Sequence, residues 1–284
     1  MSRELSRCEL VERSIIKKYR KKLWNPFTSA INRYQLIQEN DHIAVCISGG
    51  KDSMLLAKLM QQLHKYTNKP FEVTYLVMDP GYNEINRQKI ISNAQLLSIP
   101  IKVFDSNIFD VANSADGSPC YLCARMRRGH LYAYAKSLGC NKIALGHHMS
   151  DVIETTLMSM MYGAQIQGML PRLRSTNFAG MELIRPLYCI LEDSIIAWAN
   201  YNSLEFIQCA CRFTENCSSS DNGSSTSKRL ETKLLIRELK KINPNIEHNL
   251  FGSIHKVNLD TLPGYKAANI MHSFLERFDS APVQ

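Results

Sequence analysis

Short apolar runs alternate along this chain with stretches whose apolar residues fall three or four apart. The run Ile43–Ile47 ends at Ser48 and fits a strand covered on both faces, as parallel sheets require. Past Gly49 and Gly50 the spacing changes, and Met54, Leu55, Leu59 and Leu63 mark a helix from Asp52 to Tyr66. The alternation then repeats. A strand at Phe71–Met78, rich in β-branched and aromatic residues, precedes a helix from about Asn83 to Leu97 and a strand at Ile101–Phe104. A helix from about Ala124 to Leu138, closed by Gly139, leads to the strand Lys142–Leu145, and the strand Met181–Leu187 and helix Leu191–Tyr201 come last. The methionines at 158, 160 and 161 read as core filler.

Helices between strands are crossover connections, so the fold class is α/β with a mostly parallel sheet flanked by helices. Ligands on such sheets sit at the carboxyl ends of the strands, where the loops Ser48–Ser53, Asp79–Gly81 and Gly146–His148 should converge on a nucleotide pocket. Three segments are expected: a helical extension over 1–40, the main domain over 41–215, and a serine-rich loop with a helical tail over 216–284. The extension carries the basic cluster Lys17, Lys18, Arg20, Lys21 and Lys22, and reads equally as a solvated helix face or an RNA-contacting surface. Pro26 interrupts it. From Lys228 a basic amphipathic helix precedes irregular chain containing Pro244 and Pro263-Gly264.

Composition narrows the class. The 284 residues are 45% hydrophobic and 21% charged, as in an ordinary soluble globular protein. No apolar run approaches the roughly 18–20 residues of a membrane span, and the first residues lack a secretory apolar segment, so no membrane partner and a cytoplasmic location are expected. A formal charge of +8 and a pI near 9.0 suit a polyanionic partner. Nine cysteines without an export signal argue against a disulfide framework, and Cys46 and Cys189, among apolar neighbours, read as core.

Three motifs carry candidate chemistry. Ser48-Gly49-Gly50-Lys51-Asp52-Ser53 joins a buried strand to a helix N-terminus: the glycines let several N–H groups converge, the helix adds partial positive charge, and Lys51 adds a full one. This is a phosphate cradle but not a Walker A loop, which needs Gly where Val45 stands and Ser or Thr where Asp52 stands. Second, Gly146-His147-His148-Met149-Ser150-Asp151 runs into a helix start, where Asp151 serves as a cap, orients a substrate or takes a proton. The adjacent histidines point apart, which disfavours a shared metal. Third, Cys120-Tyr121-Leu122-Cys123 precedes a helix carrying Arg125, Arg127 and Arg128, which should lower the thiol pKa values. With Cys209, Cys211 and Cys217 downstream, a redox dithiol, a zinc site and an iron–sulfur site all remain open.

The loop Ser48–Ser53 resembles the pyrophosphate loop of the PP-loop ATPases. Its order with Cys120-x-x-Cys123, Leu145–His148, Asp151, Glu154-Thr155 and a late cysteine resembles the TtcA/TtuA group of tRNA thiolases, closest to the TtcA branch, over about residues 20 to 215. The resemblance implies the adenine nucleotide alpha hydrolase-like fold and ATP-dependent adenylation of the C2 carbonyl of a pyrimidine, cytidine 32 in the TtcA branch, followed by displacement of AMP by sulfur. The implied cofactors are ATP, Mg²⁺ and a [4Fe–4S] cluster on Cys120, Cys123 and Cys209, with Cys211 as rival to Cys209. Ser48, Gly49, Gly50, Lys51, Asp52, Ser53, Asp79, Gly146 and His147 are the expected nucleotide contacts. Lys51, Asp52, Asp151 and Arg127 are the expected catalytic groups. The implied partners are tRNA, met at its anticodon stem-loop, and a sulfur donor such as a cysteine desulfurase or free sulfide; a homodimer is compatible. Two departures stand out: Cys209-x-Cys211 replaces the usual C-x-x-C, and Ser150 stands where the family often has Asp. A ligase of the lysidine-synthetase kind, or a zinc-containing RNA-binding module without catalysis, are the rival readings.

Overall fold

The computed structural model describes residues 3–106, 119–207 and 228–278, with the backbone alone between Pro119 and Arg125. Six strands form one sheet in the order β3-β2-β1-β4-β6-β5: β1 His42–Ile47, β2 Glu72–Asp79, β3 Ile101–Asp105, β4 Lys142–Ala144, β5 Arg172–Arg174 and β6 Glu182–Ile184. All neighbours run parallel except β5 and β6, and Ile43 lies opposite Val73 on one side and Lys142 on the other. From β1 the chain passes through helix α3 (Lys51–Tyr66) to β2, then through α4 (Glu84–Leu96) to β3. It returns through α5 (Pro119–Ser137) to β4 on the opposite side of β1. The strand order therefore reverses between β1 and β4, which opens a crevice at their carboxyl ends.

The first forty residues share the main core. Helix α1 (Arg7–Ile16) starts with a capping box between Ser6 and Glu9, and a π-helical turn (Arg20–Trp24) links it to α2 (Asn25–Arg33). Val11, Ile15, Leu23 and Phe27 are fully buried in the cluster that holds Val45, Leu55 and Trp198. Pro26 does not break the helix: it sits in the first turn of α2, where its missing N–H costs nothing. The cluster Lys17, Lys18, Arg20, Lys21 and Lys22 stays exposed. Lys58, on α3, is fully buried and donates to Glu12 at 2.7 Å and to the carbonyl of Leu97 at 2.8 Å, which ties α1 and the end of α4 to α3.

Other elements depart from the sequence reading. Helix α5 begins at Pro119 instead of Ala124, so Cys120 and Cys123 lie inside its opening turns and not before it. Proline is well placed as a first helical residue. The edge strand β5 was not expected; its two arginines hide its apolar signal, and Arg172 holds it through two 2.8 Å bonds to Glu182. Helix α6 (Met149–Gly163) leaves Met160 and Met161 at 48% and 43% exposure, so these methionines are not core filler. Helix α7 (Glu192–Tyr201) follows.

The chain divides into two compact units, Met1–Leu230 and Glu231–Gln284. Helix α8 (Lys228–Ile242) crosses this boundary. The second unit is more ordered than expected, with α9 (Ile246–Ile254), a hairpin of β7 (Gly264–Ala267) and β8 (Ile270–Ser273), and α10 (Leu275–Phe278). Ala268 and Asn269 turn that hairpin with φ of 48° and 66°, a two-residue turn that alanine disguises in the sequence. No helix among the described residues is long and apolar enough to cross a membrane. The serine-rich tract and Cys209, Cys211 and Cys217 lie outside the described residues.

Candidate active site

The crevice at the β1/β4 switch holds a cavity of about 400 Å³. Ser48 lines it from the β1–α3 loop and Asp52 and Ser53 from the first turn of α3, Gly146 and His147 from the β4–α6 loop and Asp151 from the first turn of α6, and Arg127 and Arg128 from α5. Gly49 has φ +85°, and a Cβ there would meet Ile90 Cγ1 at 2.5 Å and Ile207 Cδ1 at 2.6 Å, so both backbone angle and space demand glycine. A Cβ on Gly146 would sit 3.1 Å from the Ser53 nitrogen, so glycine lets the two loops close on each other. Gly50 is the N-cap of α3 and no side chain caps that end, leaving its first N–H groups for an anion. Ser53 Oγ, 3.2 Å from the Ser48 nitrogen, accepts that N–H and donates to the carbonyl of Gly50 at 2.9 Å, which braces the turn.

Charge is arranged around this cradle. Lys51 Nζ lies 3.1 Å from Asp52 Oδ2 and 3.0 Å from Glu192 Oε1. Burial alone would lower its pKa, but the two carboxylates outweigh burial and raise it, so the ammonium keeps its charge. Asp52 Oδ1 is buried without a hydrogen-bond partner; His148 Nε2 stands 3.8 Å away. His147 Nδ1 is likewise buried and unpartnered. Burial, reinforced by Arg185, pushes the His147 pKa down to about 4, so at neutral pH the ring is uncharged. His148 caps α6: its Nδ1 accepts the Asp151 N–H at 3.3 Å while Asp151 Oδ2 accepts the His148 N–H at 3.0 Å. Arg127 reaches the Tyr82 hydroxyl at 3.4 Å.

Not every expected residue joins the site. Asp79 takes the N–H groups of Gly81 and Tyr82 at 2.9 and 2.7 Å and pairs with Arg87 at 3.0 Å; Met78, not Asp79, lines the cavity. Cys46 lines it too, but burial pushes its thiol up to about 12, which leaves it protonated and unreactive. No group of three His, Cys, Asp or Glu among the described residues is placed to hold a metal. Mg²⁺ takes one or two carboxylates plus phosphate oxygens and water, and Asp52 Oδ1, without a hydrogen-bond partner beside the anion cradle, is a carboxylate oxygen of that kind.

A family model described as a PP-loop domain matches residues 16–212. The chain is 33% identical over 259 residues to the tRNA-cytidine(32) 2-sulfurtransferase of Coxiella burnetii, covering 89% of this chain and 96% of that protein. It is 38% identical over 207 residues to the protein of the same name from Photobacterium profundum, covering 70% of this chain and 67% of that one. The chain belongs to the tRNA-cytidine(32) 2-sulfurtransferase family. In structure it is similar to the U34-tRNA thiolase NcsA from Methanococcus maripaludis, solved with its [4Fe–4S] cluster: the TM-score is 0.64 and the identity 19%, covering 86% of this chain and 80% of that one. That likeness establishes the PP-loop fold.

For a 2-sulfurtransferase of this family, the structure adds residues that no linear motif announces. Glu192 meets Lys51 only through the packing of α7 against α3. Arg229 joins Asp151 and Glu154 from a distant part of the chain. Arg128 was legible as part of a basic run, but its place in the cavity follows from the start of α5. The side chains of Cys120 and Cys123 lie outside the described residues.

Proposed function

We propose that this protein thiolates tRNA at the expense of ATP, adenylating the C2 carbonyl of cytidine 32 and replacing its oxygen with sulfur. The observation that carries this reading is the cavity at the β1/β4 switch, which one phosphate cradle and one arginine-bearing helix share. A pyrimidine C2 carbonyl is a poor electrophile with a poor leaving group, and adenylation converts its oxygen into part of AMP. The α3 N-terminus, Lys51 and the loop N–H groups would hold the released pyrophosphate, with Mg²⁺ at Asp52. Arg127 and Asp151 are placed to orient the base or its developing charge. His147, uncharged, can hydrogen-bond a neutral base or ribose without adding charge.

The sulfur site is read from α5. Helical periodicity puts positions 120, 123 and 127 on one face, and Arg127 of that face lines the cavity. On this reading Cys120, Cys123 and Cys209 hold the [4Fe–4S] cluster, which supplies sulfur when bound, and Cys211 is the rival third ligand. A cytoplasmic location, a cysteine desulfurase or free sulfide as donor, and docking of the anticodon stem-loop on the basic surface complete the proposal.

Mass spectrometry of tRNA nucleosides from a strain lacking the gene tests it. Loss of 2-thiocytidine, restored by the intact gene, is the expected result. Unchanged 2-thiocytidine with loss of another nucleoside would move the target base, and loss of an amine-modified nucleoside would turn the reading to a ligase.

A further inference from the structure

We infer that Arg229 is a positioning residue for the thiolation site, fixing Asp151 and Glu154 on the first turns of α6; the inference rests on the role proposed for Asp151. Its guanidinium spans three successive acceptors of one helix face. Nε lies 3.1 Å from Glu154 Oε2, and the terminal nitrogen lies 3.6 Å from Asp151 Oδ1 and 3.4 Å from the Thr155 hydroxyl. The Glu154 side chain is only 6% exposed, and a buried carboxylate needs a cation close by. Asp151 Oδ2 is already committed to the His148 N–H, so Arg229 occupies its other oxygen and prevents the carboxylate from rotating. The forked, planar guanidinium can serve two carboxylates at once; a lysine ammonium, a point charge, covers this pair less well. Arg229 itself does not line the cavity that Asp151 faces, so it acts through Asp151.

The test uses the full-length, cluster-loaded protein with tRNA, ATP and sulfide, reading thiolation and AMP release. Arg229→Ala is expected to lower kcat by about 10- to 100-fold while the KM for ATP changes less than about threefold, since a slight misplacement near the reacting atoms acts on rate more than on nucleotide binding. Arg229→Lys should recover part of that loss. The double variant Arg229→Ala/Glu154→Gln also removes the buried charge that Arg229 faces, so its thermal midpoint should return towards that of the unaltered protein while kcat stays low. A kcat within twofold of the unaltered protein in Arg229→Ala, or full recovery of kcat in the double variant, overturns the positioning role. Should Arg229→Ala not fold, the lysine and double variants give the same two answers. An unaltered protein that makes no thiolated nucleoside would instead contradict the proposed function.

Discussion

At Gly49 a left-handed φ coincides with a 2.5 Å approach of a would-be Cβ to Ile90. Gly49→Ala should cost about 1–3 kcal/mol from the backbone alone. A lowered thermal midpoint together with lost ATP binding is the expected outcome, read by thermal unfolding and titration calorimetry. Lys51 presents the opposite case: its partners are charges, and Lys51→Ala should leave the fold and the iron content intact while AMP release falls to background. His147 gives a pH prediction. Its pKa is lowered from 6.5 to about 4, so the unfolded chain binds its proton first as the pH falls, and stability drops between those two values. His147→Gln should flatten the dependence of the thermal midpoint on pH in that window. The cradle was legible because glycines, lysine and a helix start are local signals. The unpartnered Asp52 Oδ1 and His147 Nδ1 were not, since burial without a partner is a property of the packed loops.

Among the elements, the long parallel core was the most readable part: β1, α3, β2 and α4 lie within a residue or so of the periodicity in the sequence. What escaped were short or charged pieces held by tertiary partners. β5 exists because Glu182 binds Arg172, and the β7–β8 hairpin turns through Ala268, which rarely adopts that φ. Helix α5 starts earlier than the expected Ala124 and already runs through Cys120 and Cys123, with Pro119 as its first residue. Docking of α1 was equally hidden, because Lys58 reads as a surface lysine yet lies fully buried against Glu12. Lys58→Ala should destabilise the fold by about 2 kcal/mol, less than a wholly buried pair would lose because the Glu12 side chain keeps 24% exposure. Urea unfolding measures this, with catalysis per folded molecule expected to stay unchanged.

At the scale of the whole molecule, the reversal of strand order beside β1 brings an ATP-splitting loop and the arginine face of α5 into one crevice. The charge of +8 provides the long-range attraction for RNA, so tRNA binding should weaken steeply with salt. Adenylation and sulfur delivery are proposed to act on one base in one cavity. The most direct measurement of this is the stoichiometry of AMP released to sulfur incorporated, made anaerobically with tRNA, ATP and sulfide on the intact protein and on Cys120→Ser/Cys123→Ser. The intact protein should release one AMP per thiolated base, and the double variant should bind ATP without thiolating tRNA. Thiolation that survives the loss of both cysteines would contradict the proposal.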